Sequence, residues 1–321
     1  MSGSTRRAFL QSLAAAGTAT LLGGAAAGRL PAATSPRAGI GWKYSICNET
    51  FGDWPMEKAL ATAAECGYQG VEIAPFTIAN DVREITTAQR VKIRRQAEQA
   101  ALQVVGLHWL LAKTKGFYLT TPDADVRRRT AQYLGDLARF CADLGGRTMV
   151  LGSPKQRNLL PGVLPAEALR YAAEVLRAAL PVLEQTGVVV ALEPLCPGTT
   201  NFLNTAAQAV ELARQVASPH CRLNLDCLAM ASEATPTPEL IRNFRDWIAH
   251  FHANDPNEQG PGFGKTDFVP IFQALAEIGY RGWVSVEVFD YRPGADRLAR
   301  ESIRYMRKCV ETVRAKLGII Q

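Results

Sequence analysis

The chain has 321 residues, 47% apolar and 21% charged, which excludes a disordered or fibrous protein and allows one large α/β domain or two smaller ones. A net charge of +6, with no run that interleaves Lys/Arg with aromatics, gives no footprint for nucleic-acid binding. Seven scattered cysteines without a C-x-x-C exclude a disulfide framework or zinc ribbon, and most read as small buried residues.

Residues 1–27 read as an export signal. Thr5-Arg6-Arg7-Ala8-Phe9-Leu10 resembles a twin-arginine motif, an Ala/Gly/Leu-rich stretch follows, and Ala25-Ala26-Ala27 offers a cleavage site. A short membrane anchor is the alternative, but the run carries Gly, Thr and Ser and is barely long enough to span. The twin-arginine route carries folded proteins, so a metal can be loaded before export. The expected location is the periplasm or another exported compartment, with no membrane attachment after cleavage. Removing the signal leaves 34 basic against 30 acidic residues, a charge of +4. Residues 28–39 read as a linker.

From Ile40 the chain alternates β-rich runs with amphipathic segments. The predicted strands are Tyr44–Asn48, Gly70–Ala74, Val104–Trp109, Thr148–Gly152, Val188–Glu193, Arg222–Asp226, Ile248–Ala253 and Trp283–Val288. Several are nearly continuous apolar runs, as parallel strands covered on both faces require. Between the third and fourth, Tyr133, Leu137, Cys141 and Leu144 recur at helical spacing; Thr121-Pro122-Asp123 opens that helix and Gly145-Gly146 closes it. Glu65-Cys66-Gly67-Tyr68-Gln69-Gly70-Val71 is echoed by Glu277-Ile278-Gly279-Tyr280-Arg281-Gly282-Trp283, each reading as helix end, glycine stop and strand start. Eight β/α units over residues 40–321 predict a (β/α)8 TIM barrel. An open doubly wound sheet would need a Gly-rich turn after its first strand, and Glu49-Thr50-Phe51-Gly52 is not one.

Active sites of such barrels lie at the strands' C-terminal ends. Four polar residues end successive apolar strands there: Glu193, Asp226, His252 and Glu287. Each alone has a structural explanation: a carboxylate paired with arginine, a helix cap, a packed histidine. Together, three buried carboxylates would repel one another, and a divalent cation removes that cost. Three carboxylates and one imidazole suit Mn²⁺ or Mg²⁺, with Co²⁺, Fe²⁺ or Zn²⁺ also allowed. His250, one layer deeper than His252, is expected to hydrogen-bond a metal ligand. Asp255 is expected to support a ligand or bind substrate, with an Asx turn into Pro256 as the alternative. Gly260-Pro261-Gly262-Phe263-Gly264 lacks the lysine and helix of a phosphate loop and reads as a mobile rim. Lys155 and Arg157 read as solvated loop charges.

These residues resemble the xylose isomerase-like TIM barrel family, also called the sugar phosphate isomerase/epimerase family. The resemblance rests on GYQGVEIAPF at the second strand, ALEPL at the fifth, LD at the sixth, HFHAND at the seventh and GWVSVEVF at the eighth, and covers nearly all of the mature chain. The family includes ketose 3-epimerases, inosose isomerases and dehydratases, hydroxypyruvate isomerase and, more distantly, nucleases of the endonuclease IV type. It implies one divalent metal held by Glu193, Asp226, His252 and Glu287, and acid/base roles for Glu193 and Glu287 on a sugar or polyol.

A metal that chelates two adjacent oxygens of a keto sugar acidifies the neighbouring C–H and stabilises the enediolate. One glutamate then removes a proton and the other returns one. Epimerisation, aldose–ketose isomerisation and elimination from a 3-keto-glycoside or inosose all stay open, as does homo-oligomerisation. Two positions depart from ketose 3-epimerases: Ala229 stands where they have a substrate-binding histidine, and Glu258 where they have an arginine. His108 and Glu72 are expected to supply other sugar contacts. Four histidines are too few for the multi-zinc cluster of an endonuclease IV-type phosphodiesterase. A non-catalytic sugar-binding barrel would need no opposed carboxylate pair.

Overall fold

A computed structural model describes residues 40–319. The export signal and linker expected at 1–39 lie outside the described residues. Among the described residues no helix is long and apolar enough to cross a membrane.

Eight parallel strands close on themselves in sequence order: β1 Lys43–Cys47, β2 Gly70–Ile73, β3 Gln103–Leu107, β4 Thr148–Leu151, β5 Val189–Leu192, β6 Cys221–Asp226, β7 Ile248–Ala253 and β8 Trp283–Val286. β8 pairs back onto β1 through Tyr44–Val284 and Ile46–Val286, which closes the barrel. Principal helices lie between strands: Met56–Cys66, Thr87–Gln99, Ala124–Asp143, Pro165–Thr186, Ala206–Val216, Thr237–Asn243, Phe268–Glu277 and, after β8, Ala295–Leu317.

Local chemistry sets these boundaries. Asp123 caps its helix by accepting from the backbone N–H groups of Asp125 and Val126. In the echoed segments, Gly67 and Gly279 both stop a helix at positive φ, +90° and +67°, where a side chain would be strained. β2, β3, β4, β5 and β8 are shorter than the sequence predicts, β1 is shifted by one residue, β7 has the expected bounds and β6 is one residue longer. Trp109, expected in β3, has φ +52°, which no strand accommodates, so pairing ends at Leu107. Asn48 leaves β1 to begin a 3-10 turn over Asn48–Phe51.

Alternation along each strand sends every second residue inward. Phe251 and Leu225 face the helices, whereas Asn224 and Asp226, His250 and His252, and Ser285 fill the barrel interior. Register aligns them in layers: Asn224 opposite His250, Asp226 opposite His252, and His252 opposite Ser285. The interior is therefore a polar column enclosed by an apolar shell, and that column leads to the strand ends.

Candidate metal centre and substrate pocket

β6 and β7 deliver Asp226 and His252 directly; Glu193 and Glu287 are the first residues beyond β5 and β8. All four are 5% exposed or less. His252 Nδ1 lies 2.8 Å from Glu287 Oε2, 3.1 Å from Glu193 Oε1 and 3.9 Å from Asp226 Oδ2. One donor atom from each of the four residues falls within 4.8 Å of all the others. The four strand-end residues singled out in the sequence thus converge on one point.

The donor set fits a divalent cation. Burial pushes the Asp226 carboxyl up to about 8, and the neighbouring Glu193 and Glu287 add to the rise. Burial also raises Glu287. Burial opposes charge on His252, but Glu287 and Glu72 outweigh it and hold the imidazole well above its ordinary value. Burial and mutual repulsion favour the protonated forms of Asp226 and Glu287, and a dication would offset that repulsion.

Neighbouring groups hold these four side chains in place. Asn224 Nδ2 donates to Glu193 Oε1 at 2.7 Å, and Asn254 Nδ2 donates to Asp226 Oδ2 at 2.6 Å. The Ala229 N–H donates to the other Asp226 oxygen at 2.8 Å. Gly152 faces Glu193 so closely that a Cβ there would overlap Glu193 Oε2. Arg157, expected as a solvated charge, is instead buried. Its Nη1 donates to the backbone oxygens of Glu193 at 2.7 Å and Leu151 at 3.2 Å. Burial lowers its guanidinium to about 10. Lys155 is exposed, as expected.

Three further expectations need revision or extension. Glu72, expected at the sugar, is 1% exposed and lies under the centre. It accepts from His250 Nε2 at 2.6 Å and sits 3.4 Å from His252 Nε2. Burial works against its ionisation, but the two imidazoles outweigh that and keep it a carboxylate. His250 thus reaches the centre through Glu72, not through a ligand directly. Asp255 does not line the pocket above these residues. Its carboxylate accepts from the backbone N–H groups of Gly262, Gly264 and Thr266 at 3.0–3.1 Å, so the glycine-rich rim, expected to be mobile, is fastened from within.

His108 does line the pocket, together with Trp109, Leu228, Glu258 and Phe289, above Glu193 and Glu287. Its Nε2 lies 2.6 Å from Glu49 Oε2. Burial opposes charge on His108, yet Glu49 lifts it to about 9. Glu49 went unrecognised in the sequence although it lies two residues beyond the end of β1, close to where Glu193 and Glu287 follow β5 and β8. Cys47, Glu49, His108 and Glu287 form a second close group beside the first.

A family model described as xylose isomerase-like TIM barrel matches residues 60–309. The chain belongs to this family. Among relatives of this xylose isomerase-like barrel, D-psicose 3-epimerase of Enterocloster bolteae is 26% identical over 271 residues, covering 79% of this chain and 84% of that one. The 3-dehydro-D-guloside 4-epimerase of Escherichia coli K12 is 26% identical over 259 residues, covering 76% and 91%. The solved D-psicose 3-epimerase of Clostridium cellulolyticum H10 superposes with a TM-score of 0.73 at 21% identity, over 84% of this chain and 99% of that one, and shares the fold. The family members similar to this chain are sugar epimerases and isomerases.

Proposed function

We propose that the protein is a divalent-metal-dependent sugar or polyol epimerase or isomerase that exchanges a proton on carbon through an enediolate. The observation that carries this is the convergence of Glu193, Asp226, His252 and Glu287 within 4.8 Å at the floor of a pocket. These four residues hold the metal, with Mn²⁺ or Mg²⁺ preferred by an oxygen-rich donor set. When bound, the dication polarises a carbonyl and its neighbouring hydroxyl and lowers the barrier to losing the adjacent C–H proton.

The side chains supply the rest. Glu193 and Glu287 come from β5 and β8, three strands apart around the polar column, so a sugar bound over them meets both carboxylates. One takes the proton from carbon and the other returns one. Asn224 fixes Glu193 with a 2.7 Å bond, which orients the oxygen left free. His252 keeps Nδ1 toward the carboxylates, and its Nε2 faces Glu72. Leu228, Trp109 and Phe289 exclude water around the reacting carbon. The named activities of the relatives, D-psicose 3-epimerisation and 3-dehydro-D-guloside 4-epimerisation, indicate a keto sugar or keto glycoside as substrate. Twin-arginine export would place this chemistry outside the cytoplasm.

Incubating the Mn²⁺-loaded protein with keto sugars, inososes and 3-keto-glycosides in D₂O tests the proposal. Deuterium at one carbon with inversion identifies an epimerase, and transfer to the adjacent carbon an isomerase. An unsaturated product would reassign the enzyme to elimination. Absence of exchange on every substrate would overturn the proposal.

A further inference from the structure

The cavity over the metal centre measures about 200 Å³, below the roughly 300–1,000 Å³ of pockets for drug-sized ligands. It suits a single small ring. No lysine or arginine lines it, and Glu258 contributes a carboxylate, so a phosphorylated sugar finds no counter-charge there. A second cavity of about 330 Å³ lies alongside, lined by Phe76, Lys113, Lys155 and Tyr291, and it shares Trp109 and Pro154 with the first. Trp109 joins the two. Its ring meets Phe289 of the inner cavity edge-on at 6.0 Å and Phe76 of the outer cavity edge-on at 6.4 Å. It holds this place at a strained φ of +52°, and its Nε1–H has no partner among the described residues. Tyr291 stays 44% exposed on the outer wall.

We infer that the two cavities form one extended substrate site: the keto ring occupies the inner cavity, and a ring-bearing aglycone of the same molecule occupies the outer one. The substrate is then a glycoside rather than a free monosaccharide. Trp109 and Tyr291 offer flat apolar surface, which the C–H face of a pyranose or the face of an aryl group matches equally, whereas Lys113 Nζ already lies 4.3 Å over the Phe76 ring. This rests on the sugar-enzyme reading for its inner half; the outer half can be tested without turnover.

The experiment compares kcat/KM for deuterium exchange on the 3-keto forms of methyl β-glucoside, phenyl β-glucoside and cellobiose, with D-fructose alongside. A ring aglycone should raise kcat/KM by about tenfold over methyl, mainly through KM. Tyr291→Ala should collapse that ratio. Preference for phenyl identifies an aryl aglycone, and preference for cellobiose a second sugar. Equal values for methyl and ring aglycones, an unchanged ratio in Tyr291→Ala, or preference for D-fructose would overturn the inference. If nothing exchanges, the proposed function fails, and saturation-transfer NMR with unoxidised phenyl β-glucoside still decides this one. Saturation of the phenyl protons that Tyr291→Ala abolishes supports the outer subsite; no saturation in the parent protein overturns it.

Discussion

Glu72 Oε1 lies 2.6 Å from His250 Nε2, in a layer closed to solvent beneath the four converging side chains. This buried pair supports His252 from below. Its removal should act on the metal without touching the sugar. Glu72→Gln or His250→Asn should weaken Mn²⁺ binding by about 10–100-fold, as loss of a partner behind a metal ligand does. Calorimetric titration measures the affinity. Exchange at saturating Mn²⁺ should largely recover; a lost kcat with unaltered affinity would mean that Glu72 acts on substrate after all.

Metal affinity should climb with pH. The Asp226 carboxyl stands at about 8 because it is buried beside two other carboxylates, so at neutral pH the metal-free protein keeps its proton. Coordination needs the carboxylate, so binding expels that proton below about 8 and no longer does so above. Affinity therefore rises by up to about tenfold per pH unit for this proton up to about 8, and the proton that His252 must also lose extends the rise beyond it. Titrations in buffers of different ionisation enthalpy count the protons released.

Gly152→Ala should disable the centre while leaving the barrel folded. A Cβ at Gly152 would occupy the place of Glu193 Oε2, and Glu193 must then swing away. A loss of turnover of about 100-fold or more is expected, in keeping with the cost of displacing a catalytic group by an ångström. Circular dichroism should remain that of the parent protein.

Arg157→Ala should cost stability first. The guanidinium is 1% exposed and satisfies two backbone oxygens at the ends of β4 and β5. The Leu151 carbonyl keeps the Glu193 N–H at 3.3 Å, so the loss falls on the Glu193 carbonyl, and leaving it unpaired in the interior costs about 1–3 kcal/mol. Urea denaturation of the metal-free protein reads this directly, without the added stability of a bound ligand.

The barrel was legible because eight apolar runs alternate with helical periodicity, and the four converging residues because a charge that ends an apolar strand is costly without a reason. Their supports were not. Asn224, Gly152 and Arg157 meet Glu193 only across the closed sheet, and no local pattern records that proximity. Glu72 shows the same limit in depth. Alternation places it inside the barrel, but whether it meets the mouth or the floor depends on register, and β2 and β3 shift register between Val71 and Glu72. Asp255 could be read as a turn former, but its three partners at Gly262, Gly264 and Thr266 emerge only once the rim folds back. Glu49 was readable in principle, since it lies two residues beyond the end of β1, close to where Glu193 follows β5.

Electron paramagnetic resonance titration of Mn²⁺ into the metal-free protein tests the central claim most directly. One bound ion per chain is expected, weakened by at least about 100-fold in His252→Ala because that substitution removes a ligand itself. Failure of the parent protein to bind Mn²⁺, or unaltered binding in His252→Ala, would contradict it.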